Sequence, residues 1–350
     1  LKKQKQKMNK NTSILSLLLV LSAPALLLAQ TKASDYKPLK QIKVEGNGGW
    51  DYLASDSKTG LLYISHGSIV QVLDEKTGTI KATIPDTKGV HGIAIADDLG
   101  KGFISNGKDT SVTIFDLKTF ATITKVKVTG KNPDAILYDP FSKKVFAYNG
   151  RTSNATVIDA KTNAVVATIP LEGKPEFSQT DGKGKVYVNI EDKNKVCMIN
   201  SSTLKVEQTW SVAPGEEPSG LALDNKNHRL FMVCGNQFMM ILDAENGKVI
   251  AKLPIGDGAD GVAFDPAMER AYSSNGDGTL TVVQGEKGGN YKVIETITTQ
   301  RGARTIAVDT ETHHIYMPTA EFEAPAAGEE KKRPTMKKGS FMILDIAPAK

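Results

Sequence analysis

Seven polar residues, Asp51, His91, Asp134, Glu176, Ser219, Asp260 and Arg304, recur at a spacing of roughly 40 residues, and six of them are ionisable. Each opens or immediately precedes a short apolar run within DYLASD, HGIAIAD, DAILYD, EFSQTD, SGLALD, DGVAFD and RTIAVD. Gathered at one centre, such residues support cation chemistry. A histidine among carboxylates suits a borderline divalent metal such as zinc or manganese, for which His91, Asp134 and Glu176 are the candidate ligands; an all-oxygen set drawing on Asn106 or Asn149 suits calcium. Four carboxylates against Arg304 and a neutral His91 repel one another, so a bound cation or a raised carboxyl pKa is expected. The competing reading is a wet channel in which water satisfies the polar groups and Arg304 pairs with its neighbours Asp260 and Asp51.

The elements that place these residues follow from a repeat. Residues 133–173 read as four strands of four to six residues separated by turn chemistry: Ala135–Tyr138, Val145–Tyr148, Ala155–Ile158 and Val165–Ile169. The apolar-apolar-acid ending of the third strand recurs at Asp74, Asp116, Asp159, Asn200, Asp243, Gln284 and Asp345, in steps of 42, 43, 41, 43, 41 and 61 residues. Four strands per unit and seven units predict an all-β, seven-bladed β-propeller. The segment PLKQIKVEG at 38–46 resembles a fourth strand but precedes any first strand, while the last unit has only three. The N-terminal strand is therefore expected to complete the last blade.

In a propeller the first strand of each blade lines the central channel, so the seven polar residues form a ring at one mouth. His66, Asn106, Asn149, Glu191, Cys234 and Asn275 end the second strands on the same face and are expected to form an outer collar. The candidate ligand-binding set is Asp51, His91, Asp134, Glu176, Asp260, Arg304, Asn106, Asn149 and Asn275. The third-strand acids precede Thr- or Asn-containing turns and are expected to cap them.

Residues 1–33 carry a lysine-rich start, an apolar stretch at 14–28 and small residues at Ala29 and Ala33, the pattern of a secretory signal peptide with Met8 as a start; an uncleaved anchor is the alternative. Residues 34–350 then form one domain, with no membrane span after cleavage, and the location is periplasmic or secreted. Six of the 44 basic residues lie in the leader, so 38 remain against 39 acidic ones and composition gives no case for nucleic acid. Two cysteines, Cys197 and Cys234, leave open a single bridge or two buried thiols. The stretch 320–339, AEFEAPAAGEEKKRPTMKKG, interrupts the last unit and is expected to be a loop, either a tolerated insertion or an arm over one face.

The units FISNGKDTSVTIFDLKT, FAYNGRTSNATVIDAKT and YVNIEDKNKVCMINSST resemble the YVTN-type β-propeller repeat proteins, secreted bacterial proteins typified by the YncE-like periplasmic ones, over residues 36–346. The resemblance implies an exported, mostly non-catalytic propeller; through it, nucleic acid, cell-surface, and metal or redox roles enter by analogy. Catalytic signatures are missing: there is no nucleophile elbow, zinc-binding helix pair or phosphate loop, and GDGADG at 256–261 leads into a strand, so it reads as an inter-blade turn. The expected function is a binding protein that presents its mouth to a protein, polysaccharide or small ligand. The alternative is a metal-dependent, lactonase-like hydrolase with a divalent cation as its cofactor.

Overall fold

A computed structural model describes residues 34–37, 40–46, 48–324 and 335–349. The expected signal peptide and the middle of the insertion, 325–334, lie outside the described residues. No helix among the described residues is long and apolar enough to cross a membrane.

The chain forms seven four-stranded antiparallel sheets, six of them built from consecutive strands. Blade 1 comprises Trp50–Asp56, Leu61–His66, Ile69–Asp74 and Thr79–Ile84. Blades 2 to 6 follow at 90–127, 133–170, 175–211, 218–254 and 259–298. Blade 7 takes Ala307–Val308, Ile315–Thr319 and Met342–Ile346 from the C-terminal part of the chain and Lys40–Lys43 as its outer strand. The register there pairs Lys40 with Asp345 and Lys43 with Met342, as the orphan strand at 38–46 implied. Further upstream, Asp35 pairs with Arg270 at 2.9 Å and the Tyr36 hydroxyl donates to that of Tyr272 at 3.2 Å, so blade 6 also holds the N-terminal segment.

Burial follows the position of a strand within its blade. Second and third strands lie between two neighbouring blades and are buried on both faces, as in Leu61–His66 and Lys144–Asn149, whereas outer strands such as Thr79–Ile84 are largely exposed. Each second strand carries one aromatic at the same register: Tyr63, Phe103, Phe146, Tyr187, Phe231, Tyr272 and Tyr316, none more than 1% exposed. Burying each such ring contributes about 1.5–3 kcal/mol, so the seam between blades is where the fold gains most. Asp74, Asp116, Asp159 and Asp243 cap turns as their sequence context implied, Asp116 accepting the Thr119 N–H at 2.7 Å, and Asn200 does the same for Thr203 at 3.0 Å; Asp345 instead lies 2.7 Å from His314 Nδ1.

One expectation needs adjustment, and one open alternative is decided. The insertion is not irregular at its base: Phe322 bridges Met336, the Glu323 N–H donates to the Thr335 carbonyl, and Lys337 N–H to that of Glu321. The second and third strands of blade 7 thus extend outward as a ribbon, because Phe322 and Met336 continue their pairing. Cys197 and Cys234 are unbridged and buried, and burial pushes both thiols up to about 12, which leaves them inert.

On the face opposite the ring, blades 1 and 7 meet through Glu75, which accepts the Ser55 hydroxyl at 2.8 Å and lies against Asp309. Burial, aided by the charges of Asp309 and Asp56, pushes the Glu75 carboxyl up to about 8. Burial opposes the Asp309 charge as well, yet hydrogen bonds from Thr312, Ser57 and the Glu311 N–H hold that carboxyl below its usual range. Between the ordinary carboxyl value of 4.5 and about 8, Glu75 keeps its proton when folded and loses it when unfolded, so its contribution to stability falls as pH rises through that window. Glu75→Gln keeps a neutral donor in place. Its unfolding free energy should match the native protein near pH 5 and exceed it by about 1–3 kcal/mol above pH 8, read by urea melts; parallel curves at the two pH values would contradict this. Deleting residues 34–46 should expose the edge of Met342–Ile346 and abolish cooperative melting or cause aggregation; a truncated chain that melts like the full one would refute the closure.

Candidate functional site

The first strands deliver the seven ring residues to one mouth, and six of the seven are joined side to side. The Ser219 hydroxyl donates to Asp260 Oδ1 at 2.5 Å, Arg304 forms an ion pair with Asp260, and its Nη2 lies 3.9 Å from Asp51 Oδ1. His91 Nδ1 then sits 2.6 Å from Asp51 Oδ2 and 3.5 Å from Asp134 Oδ1. The arc thus runs from blade 5 through blades 6, 7, 1 and 2 to blade 3. Glu176 of blade 4 is engaged differently: Lys174 Nζ lies 2.5 Å from its Oε1 and also pairs with Glu191, while the Tyr52 hydroxyl reaches Glu176 Oε2 at 3.4 Å from blade 1.

A second set of bonds fixes the backbone beneath the ring. Ser105 donates to the carbonyl of Asp134 in the next blade, Asn189 to that of Ser219 at 2.9 Å, and Ser274 to that of Arg304 at 2.6 Å. Thr305 donates to the Asp51 carbonyl at 2.7 Å, which spans the seam between blades 7 and 1. Close approach there demands small residues. A Cβ on Gly220 would meet the Asp260 carbonyl oxygen at 2.9 Å, and one on Gly92 would meet the Ile136 side chain at the same distance.

Electrostatics follow from this geometry. Burial, with the nearby Asp51 charge, pushes the Asp134 carboxyl up to about 6 despite His91, Lys174 and Arg304; burial and then the Asp134 charge push Glu176 up to about 7, opposed by Lys174. For His91, burial disfavours the imidazolium, but the hydrogen bond to Asp51 and the charges of Asp134 and Glu176 outweigh it and raise the pKa above 6.5. Burial first, and like charges second, raise carboxyls at such a mouth.

The structure regroups the residues named from sequence. Asp51, His91 and Asp134 each offer one ligand atom, and the three atoms lie within 4.8 Å of one another. Glu176 is absent from that group and pairs with Lys174, and Asp51 stands third beside His91 and Asp134. Asp260 and Arg304 pair with each other. Asn106, Asn149 and Asn275 are fully buried and unavailable to a ligand: their amides donate to Thr113 at 2.8 Å, Thr156 at 2.9 Å and Thr281 at 3.0 Å within their own blades. Five of the six expected collar residues are not solvent-facing, since His66 and Cys234 are buried with these asparagines at the sandwiched ends of their strands; Glu191, just past its strand, is part-exposed and pairs with Lys174.

Two adjoining recesses open at the mouth. One of about 800 Å³ lies over Asp51 and His91, with Lys88 and Lys108 on its rim. The other, of about 630 Å³, lies toward blade 6 and shares Trp50 and Arg304 with the first. Sequence reasoning missed the serines beneath the ring, although Ser65, Ser105 and Ser274 share the penultimate place of their second strands. Ser105→Ala and Ser274→Ala should each strand a carbonyl and lower stability by about 1–2 kcal/mol in urea melts with unchanged m-values; no measurable change would deny the seam bonds their role.

The backbone resembles that of a chain of "Kuenenia stuttgartiensis Hydrazine Synthase", with a TM-score of 0.68 and 16% sequence identity over 83% of this chain and 95% of that one. At such identity the likeness shows the shared β-propeller fold alone. No family model matches the sequence and no curated protein matches it.

Proposed function

We propose that the chain is an exported binding propeller, related to the YVTN-type repeat proteins, that presents its ring-bearing mouth to a ligand and holds a divalent cation between Asp51, His91 and Asp134. The convergence of one imidazole and two carboxylates from three successive blades carries this reading. Export rests on residues 1–33, and the YVTN relation on the repeat units themselves. The donor set fits a borderline metal such as zinc or manganese: one nitrogen, two hard oxygens, and open space above them for water or ligand. The cation would neutralise the surplus carboxylate charge, and the scaffold of seam bonds would hold its three ligands in place whether or not it is bound.

The same geometry favours a second reading. A cation on those three residues would face the 800 Å³ recess, where it would polarise the carbonyl of a lactone or ester while Lys88 and Lys108 at the rim attract anionic groups. Among the described residues the side-chain partners of the histidines are Gln71 and carboxylates, so this reading rests on the metal.

Protein purified without a metal-affinity tag should contain a stoichiometric divalent metal, or gain a few degrees in melting temperature when zinc or manganese is added at about 100-fold over Kd. Asp51→Asn with Asp134→Asn, close in shape to the native pair, should lose that gain while remaining folded. Neither bound metal nor a metal-dependent shift would remove the cation site and leave a solvated ring. Metal-dependent turnover in a lactone and ester screen would select the hydrolase; a metal-dependent shift without turnover would select the binding protein.

A further inference from the structure

The 630 Å³ recess beside the ring is built from parts that the cation site does not use. Trp50 packs with tilted rings at 5.4 Å from Phe341, and Phe322 of the insertion stands 6.2 Å from Trp50, with Met336 opposite Phe322 on the ribbon. Gly302 makes room for this wall. Its φ is +84°, and a Cβ there would come within 2.8 Å of the Phe322 ring. The volume falls within the range of small-molecule sites, and an aromatic pair with a few polar groups is their usual lining.

The charged groups in the recess leave one guanidinium uncommitted. Asp277 spends its carboxylate on its own turn, accepting from the Thr279 N–H at 3.0 Å, the Thr279 hydroxyl at 2.7 Å and the Asp257 N–H at 2.9 Å. Asp257 accepts Gln237 Nε2 at 3.4 Å, and Arg304 is committed to Asp260 and Asp51. Arg301, exposed at the rim, has no acceptor for its guanidinium among the described residues. An uncommitted guanidinium beside an aromatic wall matches a flat apolar body that carries a carboxylate.

We infer that this recess is a binding site for a small aryl or similarly flat organic carboxylate, with Trp50, Phe322 and Met336 against its body and Arg301 on its head group. The site stands independently of a cation at the ring. It also gives the insertion a function: to carry Phe322 over the edge of blade 7.

The test is calorimetric titration of the full chain with 2-naphthoate and with its neutral counterpart 2-naphthamide. The native protein should prefer the carboxylate by about tenfold or more. Arg301→Gln should erase that preference and Arg301→Lys restore part of it, while Phe322→Ala should weaken both probes by about tenfold. Equal affinities in the native protein, a preference that survives Arg301→Gln, binding untouched by Phe322→Ala, or no binding at millimolar concentration would each overturn the inference. The metal-dependent melting shift, measured on Arg301→Gln, separates failure here from failure of the cation reading.

Discussion

The packing of one blade's second strand against its neighbours is the constraint from which the rest of the molecule follows. A strand buried on both faces needs a partner sheet on each side, and a row of such sheets satisfies that need at every position only when it closes. The seven in-register aromatics from Tyr63 to Tyr316 meet this demand at every seam, and Lys40–Lys43 meets it at the seam where the chain begins and ends. The N-terminal strand also supplies Ile42 and Val44 to the core between blades 7 and 1. Closure is thus both a hydrogen-bonding and a hydrophobic event.

Once the ring closes, polar residues with no sequence proximity become neighbours. Asp51, His91 and Asp134 meet because their first strands start at the same height, not because any local motif joins them. The scaffold holds them there through hydroxyl and amide bonds to neighbouring carbonyls, which cost little side-chain entropy because Ser and Thr are short. The mouth is accordingly a rigid rim whose charges are set by burial. The recess beside it is shaped by a segment outside the repeat.

Much of this was legible in the sequence, for reasons that particular residues illustrate. Period and turn chemistry gave the seven blades, since Asp116 and Asp159 fall at matching strand ends and strand ends fix the pairing. The orphan strand at 38–46 was readable because an outer strand without an inner one has no place except across the closure. Side-chain accessibility was not readable. Asn106 and Asn149 stand at strand ends on the correct face, but whether such an end meets water depends on how far the adjacent blade covers it. The pairing of Glu176 with Lys174 was not readable either, since the reach of a lysine around the start of its strand is a matter of rotamer and not of register. Phe322 and Met336 were two apolar residues in a polar stretch, and their importance appears only when pairing sets them face to face.

The strand that seals blade 7 is also among the first of the described residues, and its partner Met342–Ile346 among the last. A chain that emerges N-terminus first must leave Lys40–Lys43 unpaired until nearly every other strand exists, so six blades can form while the seventh waits. Such a pairing has the greatest sequence separation of any two strands in the fold, and loop-closure entropy makes it slow relative to the local hairpins. Until it forms, Met342–Ile346 presents an open edge. The lysines at positions 40 and 43 flank the waiting strand with charge, a guard against mispairing during that interval.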